Sequence, residues 1–287
     1  AKLMLPDALF ADLYELTMMQ AYRREGLTGP AVFSLFSRRL PPARNYLIAC
    51  GLETVLAAIE STRFTGRDLD YLRSLNLFED EFLAWLGRFR FSGDVMAMAE
   101  GTPVFADEPI LEVVAPLPEA QLFETMIMNQ IHLQTLMASK AARVVTAARG
   151  KKVIDFGARR MHGVDAANKA ARAFYIAGVA ATSNVAAGRQ FGIPVTGTMG
   201  HSYIQAHEDE RQAFDAFAGL YPGTVLLIDT YDTLGAARLV IRQATRETNP
   251  INISAMRLDS GDLLALSRQV RAMLDAAGLA RGADGVR

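Results

Sequence analysis

Residues 194–205 read PVTGTMGHSYIQ. The run Ile193 to Thr196 is expected to form a short strand that enters a Gly-Thr-Met-Gly turn and delivers His201 at its end. Gly197 and Gly200 are expected to permit a tight turn and close approach of the backbone to a ligand. The same rhythm recurs from Gly150 onward. Strands are expected at 152–156, 178–181, 193–196, 224–228 and 253–258, and helices at 165–176, 184–191, 209–219, 234–247 and 263–277. Strands alternating with helices imply parallel pairing through helical crossovers. About five such units are present, fewer than the eight of a closed barrel.

Upstream the pattern changes. Asp7 is placed to cap a helix over 8–25, with Leu9, Leu13, Leu16 and Met19 on its inward face. Strands are expected at 31–40 and 46–48, and helices at 51–61, 67–75 and 79–88; Phe82, Leu83, Trp85 and Leu86 form an apolar packing set. Extended segments at 95–99, 102–105 and 110–115, punctuated by prolines, read as a small antiparallel, half-buried sheet. A long or broken helix over 119–149 follows, with Met126, Met128 and Met137 as core fillers. The fold class is therefore α/β: an N-terminal α+β domain over 1–125 and a βα-repeat domain over 126–287. The final residues, GLARGADGVR, supply no closing element, so either the sheet is open or the sequence is truncated before a barrel closes.

Composition removes several function classes. Hydrophobic residues make up 51% and charged residues 21%, as in an ordinary soluble domain, and the net charge of −1 favours neither nucleic acid nor an anionic membrane as partner. The single cysteine, Cys50, excludes an internal disulfide framework and sits in the apolar run YLIACGL, where a buried thiol is expected. No secretory leader and no uncharged apolar window of membrane-spanning length are found, so the cytoplasm is the expected compartment.

In parallel α/β folds, ligands lie beyond the carboxyl ends of the strands. The five strand ends carry Asp155-Phe156-Gly157-Ala158-Arg159-Arg160, Thr182-Ser183-Asn184, Gly197-Thr198-Met199-Gly200-His201-Ser202, Asp229-Thr230-Tyr231-Asp232-Thr233 and Arg257-Leu258-Asp259-Ser260-Gly261-Asp262. Cations beside carboxylates suit an anionic substrate with a divalent metal, such as a phosphorylated sugar bound with Mg²⁺. Each piece has a plainer reading. Paired arginines are ordinarily solvated, and Asp229, Asp232 and Asp262 are equally readable as helix-starting carboxylates. His132, His162 and His207 are too scattered to build a histidine zinc site with His201. No Walker loop, GxGxxG, GxSxG or HExxH is present.

Taken together, these residues resemble the nicotinate phosphoribosyltransferase family. The likeness runs through Asp12-Leu13-Tyr14-Glu15-Leu16-Thr17-Met18, Ala49-Cys50-Gly51-Leu52-Glu53, Phe89-Arg90-Phe91-Ser92-Gly93-Asp94-Val95, Glu100-Gly101, Glu108-Pro109 and all five strand ends. The resemblance implies a type II phosphoribosyltransferase fold, with an irregular, here incomplete, (β/α) barrel. It implies transfer of phosphoribosyl from 5-phosphoribosyl 1-diphosphate to nicotinate, coupled to ATP hydrolysis, with Mg²⁺. His201 would be phosphorylated by ATP, and Asp229 and Asp259 would hold ribose, diphosphate or metal. Arg159 and Arg257 would lie along the anionic substrates, and Ser202 belongs with the substrate-binding residues. Phe156, and Tyr14 from a second subunit of a homodimer, would sandwich the pyridine ring. Ser183 stands where relatives that use nicotinamide carry an aspartate, which would repel nicotinate. Gly200 stands where alanine is common, and Met161-His162 where a small residue and a glutamine are common. The family's Gly-rich loops for the ribose 5′-phosphate have no match here. Quinolinate or nicotinamide phosphoribosyl transfer, or a noncatalytic fragment, are the alternative readings.

Overall fold

A computed structural model describes residues 5–279. They fall into two compact units that divide between Thr196 and Gly197.

In the first unit, strand Pro109–Pro116 pairs antiparallel with Pro30–Phe36 on one side and Asp94–Ala97 on the other. Its alternate residues Leu111, Val113 and Ala115 are buried, as the two-residue period of a half-buried strand requires. They pack in one core with Leu16 and Met19 of helix Leu13–Arg24 and with Leu83 and Leu86 of helix Asp80–Leu86. Aromatic rings run through this core from Phe82 to Trp85, Phe89, Phe123 and Phe91, with centroids 5.5–6.2 Å apart. The segment Pro103–Val104 does not join that sheet as expected; it pairs with Leu47–Ile48. Of the two expected forms, long or broken, the helical stretch takes the broken one, divided at Phe123 into Leu117–Leu122 and Glu124–Ala147. Met126 is in the core, whereas Met128 is 52% exposed, contrary to its expected role as core filler.

Glu15 ties the first helix to the long one. Its fully buried carboxylate accepts the Thr125 N–H at 2.8 Å and the Asp12 N–H at 3.1 Å, while the Thr125 hydroxyl donates to Asp12 at 2.6 Å. Burial pushes the Glu15 pKa up, against these hydrogen bonds. Cys50 is a buried free thiol, raised to about 12 chiefly by burial.

A second polar cluster joins the sheet layer to helix Val164–Ile176. Arg172 bonds both oxygens of Glu100, at 2.9 and 2.7 Å, and pairs with Glu53. Glu100 also accepts the Gly51 N–H at 2.6 Å. Gly51 has φ of 111°, and a Cβ there would approach the Gln130 carbonyl to 2.9 Å, so only glycine fits this turn. Downstream, Ile154–Asp155 and Ala181–Thr182 pair in parallel, and Val195 forms a parallel bridge to Thr182. The third expected strand, 193–196, is reduced to this single bridge.

In the second unit, Thr224–Leu227 and Ile253–Arg257 pair in parallel. Helices Glu210–Leu220, Thr233–Thr245 and Leu263–Ala276 accompany them. Phe214, Leu226, Leu227, Ile228 and Val240 form its core. The fold is α/β, and among the described residues the parallel strands form no closed hydrogen-bonded ring, in keeping with an incomplete barrel. No helix among the described residues is long and apolar enough to cross a membrane.

Burial alone would raise the Glu100 pKa, but the Arg172 guanidinium and the Gly51 N–H hold it below the ordinary glutamate value. The stabilisation it carries is therefore complete above the unfolded glutamate pKa and is lost as pH falls through the lowered folded value. Glu100→Gln is expected to flatten the acid limb of a stability-versus-pH curve. At neutral pH it should cost about 1–3 kcal/mol by weakening the bonds to Arg172, which keeps its pair with Glu53. Urea midpoints measured from pH 3 to 8 check both; an unchanged acid limb would refute the assignment.

Candidate active site

Both units place polar side chains beyond the carboxyl ends of their parallel strands. In the first, Asp155 organises the group. Its carboxylate accepts the Gly157 N–H at 2.7 Å and the Thr182 hydroxyl at 2.7 Å, and its carbonyl accepts the Ser183 N–H at 2.8 Å. A Cβ at 157 would lie 3.1 Å from the Asp155 carboxylate, so glycine lets the turn fold back onto it. Phe156 and Ser183 thus stand on paired strand ends. Phe156 is 37% exposed and Ser183 is half-buried. Arg159 is exposed on the short 3₁₀ turn Ala158–Arg160. Tyr14 belongs to a different group, in the first turn of helix Leu13–Arg24. It is 43% exposed, and burial of its hydroxyl and a hydrogen bond to Glu124 raise its pKa to about 12.

In the second unit, His201 opens the short helix His201–Gln205. Its Nδ1 lies 3.1 Å from the Thr230 hydroxyl, and its Nε2 lies 3.7 Å from a carboxylate oxygen of Asp259. The other Asp259 oxygen accepts from Arg257 at 2.8 Å. Arg257 also donates to the Thr198 hydroxyl at 2.8 Å and to the Met199 carbonyl at 3.4 Å. It is thus engaged in holding the turn before His201 and in orienting Asp259. Asp229 is buried; one oxygen accepts the Asp259 N–H at 2.9 Å and the Ser260 hydroxyl at 2.6 Å. Burial would raise its pKa, but these bonds win and hold it below the ordinary aspartate value. Its second oxygen is buried without a protein partner. Ser202 is exposed beside His201.

Several alternatives left open by the sequence are decided by this geometry. Asp232 and Asp262 are helix caps, accepting from the Leu234 N–H at 3.1 Å and the Ala265 N–H at 3.0 Å. Asp229 is not a cap. The glycines flanking the turn are not demanded by its backbone. Gly200 has φ of −106°, and a Cβ at 197 would meet nothing within 4 Å. Thr230, Thr198 and Ser260 escaped the sequence reading as individual site residues, although all three lie in the strand-end runs; a hydroxyl beside a strand-end carboxylate was the available signal.

Residues 9–132 match the family model described as the nicotinate phosphoribosyltransferase N-terminal domain, and residues 151–277 match that of the nicotinate phosphoribosyltransferase family. The chain belongs to the nicotinate phosphoribosyltransferase family. It is 58% identical over 272 residues to nicotinate phosphoribosyltransferase pncB2 of Mycobacterium tuberculosis, covering 95% of this chain and 59% of that protein. It is 44% identical over 273 residues to nicotinate phosphoribosyltransferase of Bacillus subtilis, covering 94% of this chain and 56% of that protein. The chain thus spans a little under three-fifths of the length of these curated relatives. The crystal structure of human nicotinic acid phosphoribosyltransferase superposes with a TM-score of 0.81 at 27% identity, over 94% of this chain and 65% of that one. In fold alone, a nicotinate-nucleotide pyrophosphorylase from Pyrococcus furiosus is also similar, with a TM-score of 0.76 at 22% identity.

Asp229→Ala would strand the Asp259 N–H and the Ser260 hydroxyl. A loss of about 1–3 kcal/mol in urea denaturation is expected, together with faster amide exchange over 258–262. Unchanged exchange in that turn would remove Asp229 from its organising role.

Proposed function

We propose that this protein transfers phosphoribosyl from 5-phosphoribosyl 1-diphosphate to nicotinate, giving nicotinate mononucleotide and diphosphate in NAD salvage, with ATP hydrolysis coupled through His201. The observation that carries this reading is the His201 group: an imidazole between a hydroxyl and a carboxylate, on a turn held by Arg257. A neutral imidazole is a competent phosphoryl acceptor near pH 7. Phe156, 37% exposed, is assigned to one side of the pyridine ring and Tyr14 of a second copy to the other, which makes the enzyme a homodimer with shared sites. Ser183 offers a neutral hydroxyl and Arg159 a cation to the anionic substrates. Ser202 supplies a further donor beside His201.

No group of three or more histidine, cysteine or carboxylate side chains among the described residues would hold a metal unaided. The unpartnered buried oxygen of Asp229 and the nearby Asp259 nevertheless fit Mg²⁺, which is commonly held by one or two carboxylates plus substrate phosphates. When bound, Mg²⁺ would offset the charge of the diphosphate leaving group. Asp229 and Asp259 would also face the positive charge that develops on the ribose carbon as diphosphate departs. The cytoplasm is the compartment proposed for this reaction.

Product formation from nicotinate, phosphoribosyl diphosphate and Mg-ATP tests the proposal, beside nicotinamide and quinolinate controls. Preference for either control, or no turnover of nicotinate, would overturn it. His201→Ala is expected to abolish ³²P incorporation from [γ-³²P]ATP and the stimulation by ATP while leaving the fold intact by circular dichroism. Ser183→Asp is expected to raise the nicotinate KM at least about tenfold, equivalent to ~1.4 kcal/mol of repulsion between carboxylates; an unchanged KM would place Ser183 outside the site.

A further inference from the structure

His201 presents two different surroundings to its two ring nitrogens. Nε2 faces the Asp259 carboxylate at 3.7 Å, and Nδ1 faces the Thr230 hydroxyl at 3.1 Å. We propose that Thr230 is a positioning residue that donates its hydroxyl proton to Nδ1 and, with Asp259 opposite, holds His201 as the Nε2–H tautomer. This rests on the reading of His201 as phosphoryl acceptor.

A neutral imidazole carries one N–H and one lone pair. A lone pair on Nε2 would point at a carboxylate whose other oxygen is already bonded to Arg257, so the hydrogen belongs on Nε2. That leaves the lone pair on Nδ1, which needs a donor, and the Thr230 hydroxyl is the group within reach. A hydroxyl alone would accept either tautomer; the carboxylate across the ring makes the choice, and Thr230 completes it. The hydroxyl is delivered from a firm base. Thr230 follows Asp229, whose carboxylate is fixed by two hydrogen bonds, and its β-branched side chain has few rotamers.

In the transfer step the Nδ1 lone pair bonds to the γ-phosphorus of ATP, the bond from that phosphorus to the ADP oxygen breaks, and its electron pair leaves on ADP. The ring keeps its Nε2–H and becomes cationic beside Asp259. Thr230 keeps its proton and turns from Nδ1 to a phosphoryl oxygen.

The test reads the tautomer directly, by long-range ¹H–¹⁵N spectra of the histidine-labelled chain at a pH where the ring is neutral, with His201→Gln to assign the signal. Wild type is expected to show the Nε2–H form. Thr230→Val should raise the Nδ1–H fraction about fivefold, the equivalent of one neutral hydrogen bond of ~1 kcal/mol, and Thr230→Ser should restore the wild-type pattern. Initial rates of ³²P incorporation from Mg-[γ-³²P]ATP should fall with Val and recover with Ser. An unchanged tautomer in Thr230→Val, or no recovery with Ser, overturns the proposal. The expected tautomer shift in Thr230→Val, together with no label in the wild type, would support the positioning role and refute the phosphoryl-acceptor reading instead.

Discussion

The strand ends of the second unit depend on one buried carboxylate. Asp229 gives up its hydration and receives in return the Asp259 N–H and the Ser260 hydroxyl. Those bonds fix the turn that carries Asp259, and Asp259 in turn meets Arg257 and His201. Arg257 reaches on to Thr198 and Met199, the residues that lead into His201. The imidazole then contacts Thr230, the neighbour of Asp229 in the chain. The connections form a chain that returns to its starting point through the covalent link from Thr230 to Asp229. Charge-assisted hydrogen bonds are the stronger kind, and here each of the ionised groups Asp229, Arg257 and Asp259 takes part in at least one.

The first unit uses the same device. Asp155 is buried at a strand end, and its carboxylate takes a backbone N–H from its own turn and a hydroxyl from the adjoining strand. In both places a carboxylate at the strand end is spent on holding neighbours, while the residue that follows it is partly exposed, as Phe156 is, or reaches His201, as Thr230 does. A buried acid is tolerable only when donors compensate its desolvation, which explains why each of these aspartates is accompanied by a hydroxyl: Thr182 for Asp155, Ser260 for Asp229.

Much of this was legible in the sequence, because periodicity and strand-end composition are local signals. The alternation of strands and helices after Gly150, the helix 13–24 and the antiparallel strands around 94–116 all follow from patterns within ten or so residues. Partner choice was not legible. That Pro103–Val104 would pair with Leu47–Ile48 is a long-range decision taken by the core, and nothing in the run of prolines encodes it. Composition is satisfied by either a straight or a broken helix at Phe123; the ring's packing against Phe89 and Phe91 accompanies the break. Among the candidate residues, His201 and Asp259 stand out in the sequence because their types are chemically loud. Thr230 was quieter, since threonine beside aspartate also reads as a helix start, and only the distance to Nδ1 distinguishes the two. Arg257 was read for its charge, whereas the structure shows that much of its bonding goes to the protein itself.

The charge balance around His201 carries one further consequence. Of the four aspartates at the second unit's strand ends, Asp232 and Asp262 are committed to helix N-termini, where backbone dipoles accommodate them. Asp259 remains beside the imidazole, with Arg257 as the cation bonded to it, while Asp229 is buried and bonded to the turn that carries Asp259. Under the function proposed above, a phosphate brought to His201 comes near the like charge of Asp259, which opposes it. An enzyme meant to bind free phosphate would place the arginine foremost and keep acids away. Under that proposal the arrangement would suit a phosphate that arrives already paired with a divalent cation, with Asp229 and Asp259 as the carboxylates to meet it.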